Sequence, residues 1–250
     1  MYRYAVEYLQ NEILSEKLEL EKDGEFCPYF MRNKLAYEVL PEELAVLSDK
    51  TRKDSLFLNT AKAFNDEHSL NVFRWFRNNL FFITRDVTPL VEQAYKFQRN
   101  VAFKSRLLSF LQAADLDIVD FEIVKSDTSI PLEFSWLMPE LKYKMTIRYK
   151  FDDNSDETFT LGLDEESDGT RKFIALAIIL ISLRNSTICI DEFDDSFHVE
   201  LSKALIEVFN SEENTNQFIL TSHELSLMDC NFKKEQIYFA EKTKGSAFRL

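Results

Sequence analysis

Glycine is nearly missing from this 250-residue chain, which has only Gly24, Gly162, Gly169 and Gly245. A phosphate-cradling loop of the G-x-x-x-x-G-K-[ST] type needs two glycines five residues apart, followed by lysine. The closest pair, Gly162 and Gly169, is seven apart with no Gly-Lys after it, so these residues contain no such loop. Cysteine is also scarce: Cys27, Cys189 and Cys230 have neither the number for a disulfide framework nor metal-ligand spacing, and a reducing cytoplasm is the expected setting. No apolar run is long: the longest, Phe173 to Ile181, falls well short of the roughly 20 residues a membrane helix requires. Arg3 and Glu7 interrupt the start, so no signal peptide is expected. Cations are outnumbered 30 to 43, a net charge of -13, which argues against a broad nucleic-acid-binding surface and leaves room only for a local basic patch.

What is present describes a folded protein, since 45% hydrophobic and 14% aromatic residues over this length can build a sizeable core. Tyr2 to Tyr8 and Ile13 to Leu20 read as strands, with a turn at Gln10-Asn11. Asp23-Gly24 is a tight-hairpin pair that leads into further strands at Phe26 to Met31 and Leu35 to Leu40. The expectation is an antiparallel meander that starts at Met1 with no preamble, as if a fold were entered partway. From Pro41 to about Asp115 the period turns helical, with stripes at Leu56, Leu58, Ala61 and Phe64, at Val72, Trp75, Phe76, Leu80 and Phe81, and around Val101, Leu107, Leu108, Phe110 and Leu111. Arg74, Arg77, Arg85, Lys96, Arg99, Lys104 and Arg106 make this lobe basic, but their scatter reads as a solvated face. His68, in a polar loop context, has no expected chemistry.

Lys142 to Phe151 alternates as a half-buried strand, and Glu157 to Leu161 can pair back on it through the turn residues of 152–156. Three polar signals follow. Glu166-Ser167-Asp168-Gly169-Thr170 opens an apolar helix running to about Leu183; its free amides and helix dipole make an anion site, although an ordinary helix cap explains the serine equally well. Thr187 to Ile190 reads as a fully buried strand ending in Asp191 and Glu192, a pair able to hold hydrated magnesium and to orient an attacking water. After a helix with an apolar stripe at Leu201, Ala204, Leu205, Val208 and Phe209, the run Phe218 to Leu220 ends in Thr221-Ser222-His223. Strand, crossover helix, strand places Glu192 and His223 at one edge of neighbouring or near-neighbouring parallel strands, where ligands of α/β sheets bind.

At these residues the chain resembles AAA-type ATPases of the ABC/SMC architecture, in particular the bacterial branch associated with abortive infection and phage defence. Residues 166–170 resemble that branch's version of the ABC signature. Asp191 and Glu192 resemble the Walker B aspartate and catalytic glutamate, Asp194, Asp195 and Ser196 the D-loop, and His223 the switch histidine. The resemblance implies an α/β fold of the ABC/SMC-type P-loop NTPase architecture, incomplete because the phosphate loop is missing. Its parts would be an antiparallel β segment over 1–45, an inserted helical lobe over 46–128, a β-hairpin region over 129–163, and the signature, Walker B and switch core over 164–250. It implies ATP and Mg²⁺, with Asp191 on the metal, Glu192 and His223 catalytic, and Ser167, Gly169 and Thr170 reaching nucleotide in trans across a dimer interface. The partner would be a second copy or a chain bearing the phosphate loop, acting on an effector protein in defence or DNA transactions. Two readings compete: a non-hydrolysing module that pairs with an intact ATPase, and a metal-dependent nuclease or phosphatase built on Asp191, Glu192, Asp194, Asp195, His198 and His223.

Overall fold

A computed structural model describes residues 1–83, 87–114, 117–126, 143–151, 157–195, 197–242 and 248–249. The chain divides into two compact units, Met1–Leu80 and Phe81–Leu250.

The first unit opens on a four-stranded antiparallel meander, β1 (Tyr2–Leu9), β2 (Glu12–Lys22), β3 (Glu25–Asn33) and β4 (Ala36–Val39), paired in chain order. The turns carry the left-handed backbone that tight hairpins need: Gln10 (φ 53°), Asp23 (φ 52°) with Gly24 (φ 85°), and Lys34 (φ 53°). A short helical turn, α1 (Ala45–Ser48), precedes α2 (Phe57–Ala63) and α3 (Glu67–Asn79), whose first amides are capped by the Asp66 carboxylate accepting from Ser69 N at 2.8 Å. Leu18, Phe30, Phe57, Leu58, Ala61 and Val72 form its core, with the Phe57 ring edge-on to those of Phe30 and Tyr37 at 5.0 Å. Within that apolar setting lie the fully buried Glu16 and Arg32. The Arg32 guanidinium donates to Glu16 from Nε at 2.8 Å and Nη2 at 2.7 Å. Glu16 also accepts from the amides of Phe57 (2.7 Å) and Leu58 (2.8 Å) and from the Tyr4 hydroxyl (2.9 Å). A buried pair with its valences satisfied in this way ties the meander to the start of α2.

Strand β5 (Leu80–Ile83) begins at the last residue of the first unit and leads into the second, which holds α4 (Thr88–Phe97), α5 (Val101–Gln112), β6 (Ile118–Lys125), β7 (Tyr143–Lys150), β8 (Thr158–Gly162), α6 (Asp168–Ser182), β9 (Thr187–Ile190), α7 (Val199–Phe209) and β10 (Gln217–Leu220). Strands β6, β7 and β8 form one antiparallel sheet, and the inward residues Met145, Ile147 and Tyr149 of β7 are those of the alternation in the sequence. A second sheet has the order β10-β9-β5, with β9 and β10 parallel and Ile188 opposite Phe218. Helix α6 is buried from Phe173 to Leu180 on every side, packed against α4 and α5 in a core shared with Ile188, Ile190 and Leu205.

Four sequence readings need correction. Leu80 and Phe81 begin a strand rather than extending the stripe of α3. The buried face of α5 is Phe103, Leu107 and Leu111, while Val101, at the first helical position, is 82% exposed. The buried face of α7 is Ser202, Leu205, Ile206 and Phe209, so Ala204 and Val208 lie on its outer side. The run Gln236 to Ala240, whose apolar content reads in the sequence as a last strand, forms none: a short helical turn over Lys234–Gln236 precedes irregular backbone with Tyr238 and Phe239 exposed.

Strand β9 is also not buried on both faces. Ile188 and Ile190 point into the core, whereas Thr187 and Cys189 are half-buried. On the same outer face, β10 presents Ile219 at 52% exposure and β5 presents Phe82 at 68%. Parallel strands in α/β proteins ordinarily carry helices on both faces; among the described residues of this unit only one is covered.

Candidate functional site

The carboxyl ends of β9 and β10 lie side by side, in the register Leu220 opposite Ile190, so the residues after each strand meet at one edge. Thr221 joins them. Its amide donates to Ile190 O at 3.0 Å and its carbonyl accepts from Phe193 N at 2.8 Å. Its hydroxyl donates to Asp191 Oδ1 at 2.5 Å and accepts from Glu192 N at 2.8 Å. One threonine thereby fixes the backbone that carries both carboxylates. Glu192 adopts a left-handed conformation (φ 47°), unusual for a residue with a Cβ, and this turns the chain sharply after the strand. Asp191, Glu192 and His223 are all exposed.

The loop is held from below as well as from the side. Phe193 is fully buried, its ring 5.6 Å from that of Phe209, which in turn stacks on Phe218 at 3.9 Å. Lys172, in the first turns of α6, donates from Nζ to the carbonyls of Glu192 (2.5 Å) and Asp195 (3.0 Å) and sits 5.4 Å from the Phe197 ring. The sequence reading passed over Lys172. Its signal was a cation near a helix start, where the dipole disfavours positive charge and some other partner must hold it.

Ser167 is the N-cap of α6. Its hydroxyl accepts from Thr170 N at 3.1 Å and lies 2.9 Å from Thr170 Oγ1. Asp168 pairs with Arg171 one turn on. The loop before the cap is anchored by the Tyr149 hydroxyl, which donates to Glu166 Oε1 at 2.6 Å; burial and this carboxylate push the phenol well above its usual range. The signature-like residues and the Asp191–Glu192 loop are thus brought into register by α6 through Lys172.

Asp194 is half-buried, and its Oδ1 is an acceptor with no hydrogen-bond partner among the described residues. Glu224, two residues beyond Ser222, accepts from Ser226 N at 2.9 Å, which holds its carboxyl below the ordinary glutamate value. Ser196 lies outside the described residues. Among the described residues no group of three His, Cys, Asp or Glu side chains is arranged to hold a metal ion, so Asp191, Glu192, Asp194, Asp195, His198 and His223 do not form the multi-carboxylate cage of the nuclease reading.

Residues 2–229 match the family described as "AAA domain, putative AbiEii toxin, Type IV TA system". The chain belongs to this family. That places it among AAA-type ATPases, whose members work with ATP and Mg²⁺, and the mixed α/β architecture accords with it. A comparison with curated proteins gives no match. Among the described residues, no helix is long and apolar enough to cross a membrane.

Proposed function

We propose that this chain contributes the signature, Walker B and switch elements of an ATP-hydrolysing site, which is completed by a segment or partner carrying the phosphate loop. The observation that carries the reading is the Thr221 bridge, which holds Asp191 and Glu192 at the carboxyl edge of two parallel strands, with the switch-like loop of His223 alongside. A magnesium site in such an enzyme needs only one or two protein carboxylates, because phosphates and waters supply the rest. Asp191 fits this: one oxygen is engaged by Thr221, and no hydrogen bond reaches the other among the described residues. Bound there, the ion would neutralise phosphate charge. The exposed Glu192 carboxylate would accept a proton from the attacking water, and His223 would donate to the terminal phosphate. Ser167, Gly169 and Thr170 would face nucleotide held by the partner.

The uncovered face of the β10-β9-β5 sheet supports the need for an added layer, and a strand–loop–helix segment would cover Phe82 and Ile219 while delivering the missing phosphate loop. The family description favours a role in abortive infection.

The test is reconstitution. The purified chain is mixed with a separately produced segment containing the phosphate loop and its flanking strand and helix, and ATP turnover is measured. Hydrolysis is expected to appear only in the mixture and to vanish with Glu192→Gln. Unchanged turnover in that variant overturns the proposal. A stable complex without turnover identifies the non-hydrolysing module instead.

A further inference from the structure

A cavity of about 620 Å³ opens in the second unit between the C-terminal end of α4, the start of α5 and the outer side of β6–β7. Its size is that of a small-molecule site, which ranges over roughly 300–1,000 Å³. The wall is charged. Four cationic side chains, Arg99, Lys104, Lys125 and Arg148, meet two carboxylates, Asp120 and Glu122. The surplus is positive, in a chain whose net charge is -13. The four cations come from four different elements or their ends, so tertiary folding assembles the set. Sequence spacing could not show it.

The accounting of donors separates two groups. Lys104 is committed to Asp120, with Nζ 2.6 Å from Oδ1. Burial works against that carboxylate's charge, but the Lys104 ammonium, the Phe121 amide and the charge on Arg148 outweigh it and hold Asp120 below the usual aspartate value. Arg99, Lys125 and Arg148, by contrast, donate no hydrogen bond among the described residues, although the charge of Arg148 acts on Asp120. Glu122 likewise has no side-chain partner there. Three cations with unspent donors therefore line one concavity, beside one free acceptor.

The floor excludes a competing use. Strand β6 is the edge of its sheet, and an exposed edge invites an extended peptide. Gln98 closes it: its carboxamide donates to Ile123 O at 2.8 Å and accepts from Ile123 N at 3.2 Å. With the backbone groups of that residue taken, recognition in the cavity falls to charged side chains.

We propose that this cavity binds a phosphorylated ligand of nucleotide size, with Arg99, Lys125 and Arg148 on its phosphates and Glu122 accepting from its sugar hydroxyls. Guanidinium groups suit phosphate because they present paired N–H donors in one plane. The ligand is either a free nucleotide or one residue of a single strand, since both offer the same phosphate and sugar chemistry. The site is separate from the Asp191–Glu192 edge and needs no metal.

The experiment is isothermal titration of the full chain in EDTA with three probes: adenosine diphosphate, inorganic pyrophosphate and a 12-nucleotide single-stranded DNA. Binding of at least one is expected, weakened about tenfold or more by the double substitution Arg99→Ala with Arg148→Ala, because two charge-assisted contacts are lost. Lys125→Glu should weaken it independently, and Asp191→Asn should leave it unchanged. Binding of the diphosphate assigns a free nucleotide; binding of the oligonucleotide alone assigns a strand. Thermal unfolding of each variant shows that the fold is retained, as expected for exposed arginines. The proposal is overturned if no probe binds, if the double variant binds as well as the parent, or if Asp191→Asn causes the same loss.

Discussion

The Lys172 ammonium donates to the carbonyl of Glu192 at 2.5 Å, so the first turns of α6 and the loop that ends β9 share a hydrogen bond. A second bond, to Asp195 O, makes the lysine a clasp on both ends of a four-residue turn that begins at a left-handed Glu192. Replacing Lys172 with methionine keeps the aliphatic stem and removes the clasp. Hydrogen exchange at the amides of 192–195 is then expected to accelerate about tenfold, equivalent to roughly 1.5 kcal/mol of local stability, while global stability changes little. Lys172→Arg should restore much of the protection. Unaltered exchange in the methionine variant would show that the loop holds itself.

Ser167 has two possible duties, and substitutions can separate them. As a cap, Ser167→Ala should cost about 1 kcal/mol of stability, whereas Ser167→Asp should cost little because aspartate caps as well as serine and suits the helix dipole. As a nucleotide-facing residue in trans, aspartate would repel phosphate. The expected outcome is a near-parental melting temperature for Ser167→Asp together with loss of the reconstituted ATP turnover. Retained turnover would confine Ser167 to capping.

In the first unit, Arg32→Met should destabilise the fold by about 3–5 kcal/mol, because it leaves the Glu16 carboxylate buried without its charge partner. Adding Glu16→Gln to Arg32→Met should recover a substantial part of that loss. Chemical denaturation of both single variants and the pair, read as a double-mutant cycle, measures the coupling; additive losses would contradict it.

Three phenols are held neutral by burial and by bonds to carboxylates: Tyr4 to Glu16, Tyr29 to Asp66 and Tyr149 to Glu166. Their folded pKa values lie well above the unfolded value of about 10. Stability from these groups is therefore fully present below pH 10 and is lost as pH rises beyond it, because the unfolded chain releases the protons more readily. In an ultraviolet titration, these three of the nine tyrosines should ionise only as the protein unfolds, with Tyr37, raised by burial, also titrating late. Smooth titration of all nine in the folded state would refute this.

Much of the fold was legible in local chemistry. The Asp23-Gly24 turn, the alternation of β7 and the serine cap of α6 each rest on preferences that act over a few residues, and each element is where its pattern lies. What local pattern missed depended on neighbours. Leu80 and Phe81 continued the period of α3, and only pairing beside β9 makes them a strand. The period of α7 places Leu205 and Phe209 correctly, but with Phe209 stacked on Phe218 the buried face runs through Ser202 and Ile206 instead of Ala204 and Val208. At the site, Asp191, Glu192 and His223 were visible as strand-end polar residues; Lys172 and the bridging role of the Thr221 hydroxyl were not, because their partners lie 20 and 30 residues away in sequence. Arg99 and Lys104 read in the sequence as part of a scattered basic face, and nothing there joins them to Lys125 and Arg148, because no period links α4, α5, β6 and β7.

The outer face of the β10-β9-β5 sheet has a consequence for the life of the protein in a cell. A chain that leaves Phe82 and Ile219 open to water offers chaperones and proteases the kind of surface they recognise on unfinished folds. If the proposed phosphate-loop-bearing segment or partner covers the face, the abundance of the chain should track that of its cover, rising when the two are made together and falling when the chain is made alone.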